Sequence, residues 1–172
     1  MALHHDLLEQ ARHLAMREPK KPRQASLRRS ISASYYALFH LLTAEAVARV
    51  APSNPVGLRS QMRRAFAHAE MKSVCRSFAQ GGVNNIPDAT RHLIGGPIEA
   101  EIQSLAALFV QLQEDRHRAD YDHFASFMRA DALQTVENVE RAFRDWQTVR
   151  DRPNATVFLA ALLLQRQWGR PN

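Results

Sequence analysis

The chain has 172 residues, 45% of them hydrophobic, which suits one globular domain, residues 1–172, with a core of its own. Its formal charge of +6 is unevenly spread: residues 1–80 carry 13 Lys or Arg against 5 Asp or Glu, and residues 81–172 carry 10 against 12, so the basic first half suits either a polyanionic partner such as RNA or a solubilising surface. Cys75 is the only cysteine, which excludes an internal disulfide, and no apolar run is long enough to span a bilayer, so no membrane partner is expected. Met1-Ala2-Leu3-His4-His5-Asp6 lacks the basic-then-apolar order of a secretory leader, and a cytoplasmic location is expected.

The periodicity is helical almost throughout. Leu3, Leu7, Leu8, Ala11, Leu14 and Ala15 recur at spacings that predict a helix over 3–18, ended by Pro19-Lys20-Lys21-Pro22. A longer helix is predicted over about 24–50 on the line Leu27, Ile31, Tyr35, Leu38, Leu42 and Ala46. After a proline-rich turn, a third helix is predicted over about 58–80, with Met62, Phe66, Met71, Val74, Cys75 and Phe78 inward. Cys75 reads there as a small buried side chain. Residues 81–97 are rich in glycine and read as a long irregular loop. A fourth helix follows from Pro97 on Ile98, Ile102, Leu105, Leu108, Phe109 and Leu112, a fifth covers about 126–151, and a short sixth ends near Trp168. Nothing reads as a strand. The expected fold class is all-α, an up-down helical bundle of about five to six helices.

Two segments concentrate chemistry. On the second helix Arg29, Ser32, Tyr36 and His40 fall at spacings of three and four and share one face, while Tyr35 and Phe39 point inward. Near the end of the fourth helix, Arg116-His117-Arg118-Ala119-Asp120-Tyr121-Asp122-His123 packs arginines, histidines and aspartates around a tyrosine. Arginine offers a planar fork of donors to phosphate, and histidine moves protons near neutral pH. If the helix continues, Arg116 shares a face with Asp120, and Asp120 with His123. Either Arg116 or Arg118 could partner His123. The sequence has no His-x3-His, Cys-x2-Cys or Glu-x-x-His pattern and no phosphate-binding glycine loop, so no metal and no cofactor is expected.

These two segments resemble the HEPN domains, small all-α proteins. Ser32-Ala33-Ser34-Tyr35-Tyr36-Ala37-Leu38-Phe39 is similar to the family's S-x-x-Y-Y-A-x-F helix, and Arg116-His117-Arg118-Ala119-Asp120-Tyr121 to its R-x-x-A-D-Y signature. The resemblance is strongest over residues 26–125. It implies a HEPN-like bundle that pairs as a homodimer with a cleft at the interface, with RNA or nucleotide as ligand and an antitoxin or other protein as partner. It also implies a metal-independent endoribonuclease of toxin or defence type bearing an R-x4-6-H motif, met here by Arg118 with His123 or Arg116 with His123. Aligned with R-N-x-x-x-H-x-Y from Arg116, however, Tyr121 stands at the histidine position. The roles implied are catalysis for Arg116, Arg118, His123 and Asp120, and substrate binding for Arg29, Ser32, Tyr36 and Tyr121. The alternative is a non-catalytic nucleotide- or RNA-binding or protein-interaction module using the same residues.

Overall fold

The structure is a computed structural model that describes residues 2–50, 52 and 56–168. The described residues are helical, with no strand among them. In chain order they form α1 (Leu3–Met16), α2 (Gln24–Val50), α3 (Val56–Arg64), α4 (His68–Ala79), α5 (Asp88–Arg91), α6 (Ala100–Tyr121), α7 (Arg129–Val149) and α8 (Pro153–Trp168). A single 3-10 turn, Val83–Asn85, lies between α4 and α5. The all-α fold class holds. The proline-rich turn is largely outside the described residues.

The helix expected over 58–80 is two helices. Its apolar line steps by four from Met62 to Phe66 and by five from Phe66 to Met71, and a step of five leaves a 3.6-residue stripe. The chain turns there: the Ala65 amide reaches back to the Met62 carbonyl at 3.0 Å, and Ala67 is extended at φ −106°. The turn lets Phe66 bury while α4 buries its own face, Met71, Val74, Cys75 and Phe78. The loop at 81–97 is also partly ordered, holding the 3-10 turn and α5.

The chain divides into two compact units, one of residues 1–41 and 108–144, the other of 42–107 and 145–172. In the first unit, α1, the N-terminal part of α2, the C-terminal part of α6 and most of α7 share a core. Ala15, Leu27, Ile31, Ala119, Phe127 and Ala132 form one buried cluster that draws on all four. Small residues let backbones approach: the buried Ser30 hydroxyl donates to the Ala11 carbonyl at 2.7 Å. Tyr35 is fully buried against Phe109 at 5.5 Å between ring centroids. The rings of His4 and His5 meet Phe143 edge-on at 5.4 and 5.5 Å.

In the second unit, α4 packs on α8, with Phe78 and Phe158 rings 4.9 Å apart and Trp146 fully buried beside Phe158. α4 ends at Ala79 and, after the capping Gln80, Gly81 at φ +68° takes the left-handed position that a side chain would resist. Buried Asn154 fastens the far end of the 81–97 loop. Its side-chain oxygen accepts from the Gly95 amide at 3.0 Å, and its nitrogen donates to the Pro97 carbonyl at 3.1 Å.

Candidate functional site

The first unit gathers most of the chemistry-bearing residues. α2 presents Arg29, Ser32 and Tyr36 on one face, and α6 presents Arg116 and Asp120 one turn apart. The two faces join through Asp120. Ser32 donates its hydroxyl to Asp120 Oδ1 at 2.6 Å, a short bond to a carboxyl oxygen. Asp120 Oδ2 lies 3.1 Å from Arg116 Nε. That N–H is not aligned as a hydrogen bond, so the pair is held by charge. An outer guanidinium nitrogen of Arg116 donates instead to the Tyr36 hydroxyl at 3.1 Å. Its central carbon stands 5.6–5.9 Å from the ring centroids of Tyr36, Tyr35 and Tyr121. Both charged side chains are largely enclosed, with relative exposures of 17% and 19%. Burial opposes the charge on Arg116, but the charge interaction and hydrogen bond with Tyr36, then Asp120 and Tyr121, outweigh it and raise its pKa.

Arg118 takes another direction. It pairs with Asp115 at 3.7 Å and lies 5.7 Å from the Phe127 ring centroid. The His117 ring meets that of Tyr121 at 4.9 Å between centroids, tilted by 50°. α6 stops at Tyr121, so His123 lies beyond the helix rather than on the face of Asp120. No hydrogen bond or ion pair joins His123 to Arg116, Arg118 or Asp120. Arg116, Asp120, Ser32 and Tyr36 are thus brought together, while Arg118 and His123 stand apart from that network.

The turn that carries His123 is held from α2. Arg28 donates to the carbonyls of Ala119 at 2.9 Å and Asp122 at 2.8 Å, and to that of Ala125. These are carbonyls at and after the helix end, where acceptors lack helical partners and a cation meets the negative end of the dipole. Asp122 Oδ1 accepts from the Phe124 and Ala125 amides at 2.9 and 3.1 Å. Gln24 then grips Phe127 twice, donating to its carbonyl at 2.9 Å and accepting from its amide at 3.0 Å.

The result is a pocket of about 630 Å³ within the first unit, its wall including Arg28, Arg29, Asp120, His123, Phe124 and Ser126. Arg29 and His123 have no ion-pair or hydrogen-bond partner among the described residues, and both are exposed. The Asp120 charge is balanced by Arg116, so the open wall presents Arg29 and the imidazole. Phe124 is 100% exposed. Sequence reasoning assigned no role to Gln24, Arg28 or Phe124. Arg28 and Gln24 act on backbone groups roughly a hundred residues away, which no local pattern announces. A phenylalanine in a polar turn was the one visible signal.

Among the described residues no group of three or more metal-ligating side chains converges, and no helix is long and apolar enough to cross a membrane. Compared with protein-family models, curated proteins and solved structures, the chain gives no match.

Proposed function

We propose that the chain is an RNA-directed protein of HEPN type, acting as a metal-independent endoribonuclease through the pocket of the first unit. One observation carries the reading: Arg29 and His123, both uncommitted, line the same pocket. A guanidinium can stabilise the charge that develops on a phosphodiester and an imidazole can move its protons, so the pair can serve cleavage without a metal. With a phosphate seated beside Arg29, His123 takes the proton from the ribose 2′-hydroxyl. The O2′–P bond forms, the P–O5′ bond breaks, and the departing 5′-oxygen takes a proton from water or from the His123 of a second copy in a homodimer. Arg29 stabilises the added negative charge on the phosphorane. The products are a 2′,3′-cyclic phosphate and a 5′-hydroxyl. Ser32 and Arg116 engage Asp120 of this wall, and the Arg116 charge offsets its repulsion of the phosphate.

Incubation with labelled single-stranded RNA in EDTA tests the proposal. Wild type cleaves it and His123→Ala does not, with the folded state of the variant checked by circular dichroism. General acid–base assistance is worth about 10²–10⁴-fold. An undiminished rate in His123→Ala removes His123 from the mechanism.

A second reading, binding without cleavage, is favoured by a different observation. Arg116 and Arg118 are each engaged with a carboxylate of their own helix, and neither meets His123. RNA bound at low salt but left intact by the wild type selects this reading.

A further inference from the structure

We infer that the pocket accepts one unpaired ribonucleotide, with its base against Phe124 and its phosphate at Arg29 and His123. This rests on the RNA-directed reading above but not on cleavage. Phe124 exposes its whole side chain on a turn whose backbone is fixed on both sides of it. The carbonyl of Asp122 is clamped by Arg28, the Phe124 amide is held by the Asp122 side chain, and the next residue is held by both Asp122 and Arg28. A mobile loop tip could hide such a ring by collapsing onto the core. This one is kept outward, beside two basic side chains, and that combination of an aromatic face with basic neighbours matches a nucleotide better than an apolar peptide.

The dimensions agree. At about 630 Å³ the pocket, open to solvent, falls in the range of about 300–1,000 Å³ found for small-ligand clefts. A base within a duplex has both faces stacked and cannot reach the ring, so the site selects single strands. Because every base has a π face, Phe124 provides affinity with little choice of sequence. Arg29 contributes through the phosphate and is blind to the base.

The test measures binding of the full chain to a short 2′-O-methyl RNA, which lacks the attacking hydroxyl and is not consumed. The same strand annealed to its complement is the control. The single strand binds more tightly than the duplex. Phe124→Ala weakens single-strand binding roughly 5- to 150-fold, the span expected for one stacked base, and leaves duplex binding unchanged. Phe124→Trp restores it. Arg29→Ala instead reduces the slope of log affinity against log salt by about 0.7, the value for one phosphate contact on a single strand, whereas Phe124→Ala leaves that slope alone. Equal single-strand binding by wild type and Phe124→Ala overturns the inference while leaving RNA binding intact. A change of sedimentation with Phe124→Ala at unaltered RNA affinity also overturns it, and makes the ring a protein contact. No RNA binding by the wild type at low salt removes the RNA-directed reading, and the inference with it.

Discussion

Arg28→Ala should be the most damaging single surface substitution in the first unit, and the loss can be worked from its contacts. The guanidinium supplies three hydrogen bonds to carbonyls, those of Ala119 and Ala125 in partly buried surroundings and that of Asp122 in an exposed one. Charged hydrogen bonds contribute about 1.5–3 kcal/mol when buried, but carbonyls at a helix end can be rehydrated once the arginine is gone. Taking about 1 kcal/mol for each of the two enclosed bonds and about 0.5 kcal/mol for the exposed one gives roughly 2.5 kcal/mol. The cation–π contact with Phe127, at 5.6 Å, adds about 0.5 kcal/mol. A loss of about 3 kcal/mol corresponds to a fall in Tm of roughly 6–12 °C for a chain of this size. Urea denaturation reads the stability as a shift of midpoint at constant slope. Hydrogen exchange locates it, because the amides of Phe124, Ala125 and Phe127 should lose protection before those of α1. Arg28→Lys keeps the charge but not the fork, and should recover less than half of the loss. A change below about 0.5 kcal/mol in Arg28→Ala, with exchange in the 122–127 turn unaltered, would refute the claim that this residue builds the pocket wall.

Three further outcomes follow from the same kind of contact. Asp120→Ala removes both the acceptor for Ser32 and the carboxylate facing the enclosed Arg116, so it should cost about 1–3 kcal/mol, and a double-mutant cycle with Ser32→Ala should show coupling; additive effects would mean that the Ser32–Asp120 bond contributes nothing. Glu18 accepts from the Ser26 hydroxyl at 2.8 Å and, more weakly, from the Arg23 amide; the first of these chiefly holds its pKa below the usual carboxylate value. Its stabilising contribution is therefore present above the unfolded pKa and lost as pH falls through the lower folded value, and carboxyl NMR titration of Ser26→Ala should show the pKa rising. Burial pushes the Cys75 thiol pKa well up, so a thiol reagent at neutral pH should react with the native protein only at the rate of unfolding and at once in denaturant; fast native labelling would contradict its burial.

How much of this was legible beforehand depended on whether a feature is local. α2 was visible to its ends because its apolar line runs unbroken from Leu27 to Ala46 and proline-containing segments lie before and after it. The 58–80 segment carried its own warning in the five-residue step from Phe66 to Met71, which an eye set for one long helix passes over. Within the site, the Arg116–Asp120 pair is a helix-turn relation and was readable as such. The Ser32–Asp120 bond spans 88 positions, and only the shared-face argument on each helix separately hinted at it. The spacing arithmetic that offered Arg116 or Arg118 to His123 assumed that α6 carries the histidine. The helix stops at Tyr121, and the Arg28 clamp turns the chain so that His123 shares its pocket with Arg29 of α2 instead. Which cation a histidine faces is decided by where a helix ends and what caps it. Counting residues between an arginine and a histidine therefore does not by itself fix which cation shares a pocket with the imidazole. Arg29→Ala and Arg118→Ala, compared in the same RNA assay, separate the two geometries: loss in the first alone belongs to the pocket, and loss in the second alone to the linear motif.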